Sequence, residues 1–511
     1  MTPTQQVRPV EKLKTGIPGF DTMADGGLPK DRSTLIAGTA GAAKTVFAAQ
    51  FIACGIELSG ETGVFVTFED SPDDIRRNML SFGWDFAAWE AEGKLLFVDA
   101  SDQPEETTEV VGSYDLGGLV ARVENAVRKI GATRISLDSL NALFVRFPDE
   151  LVLRTELFRI VQSLKHLGVT VVYTGERRDD YGEITKSGTE EFIADNVIIL
   201  RNILVDERRR RTIEILKFRG TRHERGEFPF TITDHGIIVL PLSAIELTQG
   251  SSMVRVPSGI DELDTMCDGG FFRDSVMLAS GATGTGKTLL VTQFMAGGFA
   301  NGERALLFAF EESRQQLFRN AKSWGMDFEK LERDGHLMVV NQYPHAQPLE
   351  DHLVLMKQVI SNFKPNRVAV DSLSALERIS TLRGFREFVI SLTSYLKATE
   401  TTALFTSTTT NLLGGGSVTE KHISTLTDSI ILLRYIEVRG EMRRGITVLK
   451  MRGSTHDKAI REYTIDGEGM HIGVPFRNLT GVLSGRVIPH VDTAVAPDAD
   501  IERSGRGSGG E

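Results

Sequence analysis

Two short stretches of this chain have the composition of a phosphate cradle. Gly281 to Thr288 reads GATGTGKT, and Gly38 to Thr45 reads GTAGAAKT. Glycine-rich loops let backbone N–H groups approach an anion, and a helix starting at the lysine adds partial positive charge. In the later stretch Thr283, Gly284, Thr285 and Gly286 form the loop. Lys287 would reach the β- and γ-phosphates of ATP, and Thr288 would hold Mg²⁺. In the earlier stretch Gly41, Ala42 and Ala43 precede Lys44 and Thr45. Ala43 stands where the pattern has glycine, and its Cβ narrows the loop if the residue needs a positive φ. A functional first site with altered affinity is the expectation.

Carboxylates recur with the loops. Glu69-Asp70 and Glu311-Glu312 each follow an apolar run. An acid at a strand's end beside a γ-phosphate can orient water or take a proton from an attacking hydroxyl. Asp138 and Asp371 end two further apolar runs and are placed to support Mg²⁺, with Glu311 as another metal neighbour. Lys217-x-Arg219 and Lys450-x-Arg452 form a repeated cationic pair. One residue apart on an extended segment, the two side chains share a face. They suit triphosphate charge, including that of a neighbouring subunit. Phe82 and Trp324 occupy equivalent places and would stack on adenine or serve the core.

The elements that must position these groups are themselves written twice. The two lysines lie 243 residues apart (287 − 44), and four further blocks follow in the same order. TMADGGL matches TMCDGGF, FVTFED matches LFAFEE, ISLDSL matches VAVDSL and LKFRGTRH matches LKMRGSTH. Each copy is long enough for its own core. Apolar runs such as STLIAG, RISLDS and VTVVYTG alternate with helical patterns, as in 151–166. The fold class expected is α/β, two tandem P-loop domains with mostly parallel sheets. The domains are read as 1–247 and 248–485, with a linker near Leu247 to Val256 and a flexible tail at 486–511.

One difference between the copies bears on chemistry. Aligned through Asp195 and Asp428, an offset of 233, Ser424 and Thr425 fall opposite Glu191 and Phe192. Only the second copy can accept a phosphoryl group there.

The composition is ordinary. Of 511 residues 41% are hydrophobic and 25% charged, and the net charge of −11 provides no overall field for nucleic acid or an anionic membrane. Cys54 and Cys267 fall in different copies, so a reducing compartment is expected. The N-terminal stretch lacks an apolar signal segment, and no apolar run is long enough to span a bilayer. The expected location is the cytoplasm.

These residues together resemble the KaiC family of circadian clock proteins, from about Leu13 to Ser484. SFGWDF, RRRRT, PFTITDHG, SWGMDFE, RGEMRR and KMRGSTHDKAIRE carry the resemblance beyond the phosphate loops. It implies two RecA-like domains in an ATP-bound, double-ring homohexamer with nucleotide between subunits. The first ring would be a slow ATPase, with Glu69 and Asp70 in place of the family's two glutamates. The second would be a serine/threonine autokinase and autophosphatase with Glu311 as general base. The resemblance also implies nucleotide contacts at Ser81, Lys217, Phe218, Arg219, His223 and Asp234. In the second ring the matching set is Trp324, Arg444, Lys450, Met451, Arg452, Ser454, His456 and Lys458. Ser424 and Thr425 match the phosphorylated pair, Thr419 a further site, and Arg378 a basic residue near the phosphate. A KaiB-like partner is expected. The tail does not resemble the family's KaiA-binding peptide, so KaiA is not expected to be required. Competing readings are a RecA-like DNA-dependent ATPase, with Glu207 to Arg211 as its basic loop, and a ring scaffold with weak ATPase and no kinase activity.

Overall fold

The computed structural model describes residues 10–101, 116–140, 150–184, 193–205, 207–241, 252–409, 423–476, 479–480 and 488–489. Glu191, Phe192, Thr419, most of the tail and half of the expected linker lie outside them, as does the side chain of Ser424. The chain divides into two compact units, Met1–Thr248 with Gln347–Leu355, and Gln249–Ala346 with Met356–Glu511.

In the first unit the apolar runs form β1 (Ser33–Gly38), β2 (Gly63–Thr67), β3 (Leu95–Asp99), β4 (Arg134–Asp138), β5 (Thr170–Glu176) and β6 (Asn196–Val205). These six are mutually parallel. Three antiparallel strands extend the sheet: β7 (Arg208–Phe218), β8 (Glu227–Thr233) and β9 (Gly236–Val239). The order is β9-β8-β7-β6-β1-β5-β4-β2-β3. The second unit repeats it with β10 (Val276–Gly281), β11 (Ala305–Ala309), β12 (Leu337–Asn341), β13 (Arg367–Asp371), β14 (Thr402–Thr408), β15 (Ser429–Val438), β16 (Glu441–Met451), β17 (Arg461–Asp466) and β18 (Gly469–Pro475). Their order, β18-β17-β16-β15-β10-β14-β13-β11-β12, is the same. The parallel strands read as near-continuous apolar runs because both their faces are covered.

Each central strand, β1 or β10, leads through the phosphate loop into a helix, α1 (Lys44–Ser59) or α2 (Lys287–Phe299). Both helices are mostly apolar and buried. A fully buried arginine pins each one to the sheet. Arg134 Nη1 donates to the Phe51 carbonyl at 2.8 Å, and Arg367 Nη1 to that of Phe294 at 2.7 Å. Burying the charge is tolerable because Glu61 and Glu303 pair with the two guanidinium groups. Gly55 and Gly298 make the approach possible, since a Cβ there would lie within 2.4 and 2.5 Å of the arginine Nε.

Candidate nucleotide site

The phosphate loops have the backbone that anion cradling requires. Gly41 and Gly284 have φ of 73° and 79°. The residue before each lysine is left-handed too: Gly286 at 91° and Ala43 at 71°. Ala43 thus holds a glycine conformation with a side chain, at a cost of roughly 1–2 kcal/mol. Lys44 Nζ donates to the Thr39 carbonyl at 3.0 Å, and Lys287 Nζ to those of Gly281 and Ala282, both at 3.0 Å. Burial pushes both ammonium groups below the usual lysine range, a strain that an adjacent triphosphate would relieve.

The loop hydroxyl meets the strand-end aspartate in each unit. Thr288 Oγ1 donates to Asp371 Oδ2 at 2.7 Å, and the Thr45 hydroxyl favours the charged form of Asp138. From the next strand, Thr406 donates to the other oxygen of Asp371, and Thr174 donates to Asp138 Oδ1. Burial raises both aspartates above the usual carboxylate range. A hydroxyl and a carboxylate are hard oxygen donors, and Mg²⁺ takes one or two such protein ligands with phosphate oxygens and water. The residues fit that ion. Among the described residues no cluster of three or more His, Cys, Asp or Glu side chains could hold a metal without the nucleotide.

The four acids lie just beyond the ends of β2 and β11. Ser139 Oγ donates to Glu69 Oε1 at 2.9 Å, whereas Glu311 Oε1 accepts from Arg378 Nη2 at 3.1 Å. Glu312 accepts from Asn320 at 3.1 Å and is raised by burial, then by the charges of Asp371 and Glu311. Asp70 is exposed. Phe82 and Trp324 are half-buried beside the cores, Phe82 against Trp84, and Ser81 is exposed at a helix end. Asp234 is exposed at the β8–β9 turn. That hairpin is tied to α1 by Gln50, whose Oε1 accepts from Ile237 N at 2.7 Å and whose Nε2 donates back to the Ile237 carbonyl.

The cationic pairs sit elsewhere. Lys217 Nζ donates to the Ala194 carbonyl and Lys450 Nζ to that of Thr427, both at 2.7 Å. Arg219 pairs with Asp195 at 3.7 Å and Arg452 with Asp428 at 3.6 Å. The intervening Phe218 and Met451 are buried in the cores. Asn196 at the start of β6 lies beside Thr34, whereas Leu200 lies beside Gly38, where the phosphate loop begins. Those four steps span about 13 Å. The lysine reaches past the strand start, away from its own loop. Ser429 and Leu433 repeat the arrangement along β10. His223 packs edge-on to Phe218 at the same end, and burial lowers its pKa. Ser454 bonds Arg255 and Asp268, and His456 and Lys458 follow it in the loop before β17.

Arg444 does not belong with Lys450 and Arg452. It pairs in register with Tyr435, beyond Leu433, at the phosphate-loop end. Arg211, its counterpart at the 233-residue offset, approaches the Gly41 carbonyl at 3.5 Å. The sequence offers Arg211 within a basic run and RRRRT and Ser139 within the repeated ISLDSL, with no role attached to either, and Thr174, Thr406 and Asn320 carry no motif. Their signal is the repeat itself: Thr174 and Thr406 hold the same place, two residues before the end, in corresponding strands. Ser424 and Thr425 lie in the short turn Ile423–Thr425. Thr425 is exposed, and its carbonyl accepts from Arg452 at 2.7 Å.

Known proteins have the same pattern. A family model described as the KaiC ATPase matches residues 13–244 and again 256–475. The chain is 64% identical over 482 residues to the circadian clock protein KaiC3 of Synechocystis sp., covering 94% of this chain and 95% of that one. It is 56% identical over 476 residues to the circadian clock oscillator protein KaiC of Synechococcus elongatus, covering 93% and 92%. Against the KaiC of Thermosynechococcus vestitus the figures are 55% over 485 residues, 95% and 93%. With two tandem ATPase domains of RecA-like α/β architecture, the chain belongs to the KaiC family.

Proposed function

We propose that this protein is an ATP-hydrolysing serine/threonine autokinase and autophosphatase that serves as a timing switch. The first unit hydrolyses ATP, and the second phosphorylates Ser424 and Thr425 across a subunit interface. The observation that carries this reading is the placement of the Lys-x-Arg pairs, at the opposite end of each sheet from the same unit's phosphate loop. Each unit then holds half a site at either end. Head-to-tail association of copies completes every site, and such contacts close into rings. A homohexamer is the ring that the family resemblance implies.

Bound ATP supplies the transferable phosphoryl group, and Mg²⁺ screens its charge. Thr45 with Asp138, and Thr288 with Asp371, would hold the metal. Lys44 and Lys287 balance phosphate charge from within, and Lys217, Arg219, Lys450 and Arg452 from the neighbouring copy. In the first unit Glu69 and Asp70 orient water. In the second Glu311, supported by Glu312, accepts the proton of the attacking hydroxyl. A new phosphate of about −2 charge near a subunit boundary changes packing there, which makes it a switch. The working partner is a KaiB-like protein in the cytoplasm, and KaiA is dispensable.

The test is a site-resolved mass-spectrometric time course on the purified protein with MgATP alone. Phosphate gained and later lost at Ser424 and Thr425 is the expected result. Hydrolysis without phosphate at either residue would overturn the self-contained kinase.

A further inference from the structure

The two units hold their corresponding acids differently. In each, a backbone bond joins the strand carrying the acid to the strand carrying the aspartate: Phe68 N to Asp138 O at 2.9 Å, and Phe310 N to Asp371 O at 2.8 Å. Glu69 and Ser139 come one residue later in the first unit, and Glu311 and Ser372 in the second. The first pair is bonded at 2.9 Å. The second is not. Ser372 is fully buried, and its Oγ has no hydrogen-bond partner. It stands at the start of α3 (Leu373–Glu377) but makes no side-chain capping bond. An unmade buried hydroxyl bond is costly and calls for an explanation.

Glu311 is drawn instead to Arg378, in a pair whose side chains are 59% and 36% exposed. Such a solvent-screened pair is weak and easily exchanged. At the 233-residue offset, position 145 is valine, with Arg146 next to it; both lie outside the described residues.

We propose that Ser372 is a positioning residue for Glu311, and that the carboxylate moves between two partners. Bound to Arg378, it is held toward solvent with its charge balanced. Rotated onto Ser372, it takes the position that Glu69 already occupies, over the Thr288–Asp371 pair, and the buried hydroxyl is satisfied. Arg378 is thereby a brake on phosphoryl transfer and Ser372 the rest that sets it. This rests on the reading of Glu311 as the general base.

The experiment measures incorporation of phosphate into Ser424 and Thr425 of the full-length protein in MgATP, over a range of ATP concentrations. Ser372→Ala is expected to lower the maximal rate about tenfold with the ATP concentration for half-maximal rate unmoved. Arg378→Gln is expected to raise it two- to fivefold, on the scale of one hydrogen bond or exposed ion pair. The double variant should depart from the product of the single effects, because both act on one carboxylate. A normal maximal rate in Ser372→Ala, or a slower one in Arg378→Gln, overturns the proposal. Glu311→Gln separates the two levels. Full incorporation in that variant removes the general-base reading itself, whereas its loss beside a normal Ser372→Ala removes only the two-partner arrangement.

Discussion

The two units share strand order, buried arginine, phosphate loop and strand-end aspartate, and differ in a handful of side chains around them. Gly286 has Ile465 and Met470 close by: a Cβ on it would meet Ile465 Cδ1 at 2.8 Å and Met470 Cε at 3.4 Å. In the first unit Ala43 carries that Cβ, packed on the core with Ile232. There Ile237, shorter than methionine, faces Ile232 across the hairpin as Met470 faces Ile465. The hairpin has been recut around the alanine. Duplicated frames can therefore diverge in chemistry while the load-carrying geometry stays fixed, because each change is absorbed by one or two neighbours.

The sharpest way to break the comparison is to disable each loop in turn. Lys287→Ala should reduce phosphate incorporation at Ser424 and Thr425 by about 100-fold or more, and Lys44→Ala should remove most steady ATP hydrolysis. Parallel phosphosite and phosphate-release assays check this, and equal effects of both variants on both readouts would erase the division of labour. A smaller effect concerns the loops' shape. Gly286→Ala should destabilise the second unit by about 1–3 kcal/mol, whereas Ala43→Gly should change the first by less than about 1 kcal/mol, toward greater stability. Trp324 reports on the second unit and Trp84 and Trp89 on the first in a denaturant titration. The smallest effect separates the thiols. Burial pushes Cys54 up to about 11 and Cys267 up to about 12. At pH 8 native Cys54 should alkylate faster than Cys267, as followed by peptide mass spectrometry.

Much of the frame is legible in the sequence because it is local. Strand runs, phosphate loops and strand-end aspartates need only their own neighbours in the chain. The repeat supplies the order of the elements. Side-chain destinations that depend on register across antiparallel strands are not legible. RGEMRR and KMRGS sit a few residues apart, yet six residues along β16 separate Arg444, at the phosphate-loop end, from Lys450, near Thr427. Ser139 and Ser372 are equally silent, since the same residue type in the same place is bonded in one unit and orphaned in the other. Phe218 and Met451, expected from the resemblance to contact nucleotide, turn their side chains into the cores.

The strands between loop and cation pair act as a ruler. A hydrogen-bonded strand neither stretches nor compresses appreciably, so the residue count from Asn196 to Leu200, or from Ser429 to Leu433, sets a fixed span. One inserted residue would turn every following side chain to the other face. Two would keep the faces and lengthen the span by about 6.6 Å. Loops around these sheets can vary in length at little cost, but these short counts are dimensional tolerances, and a change in them would alter the distance from phosphate loop to cation pair.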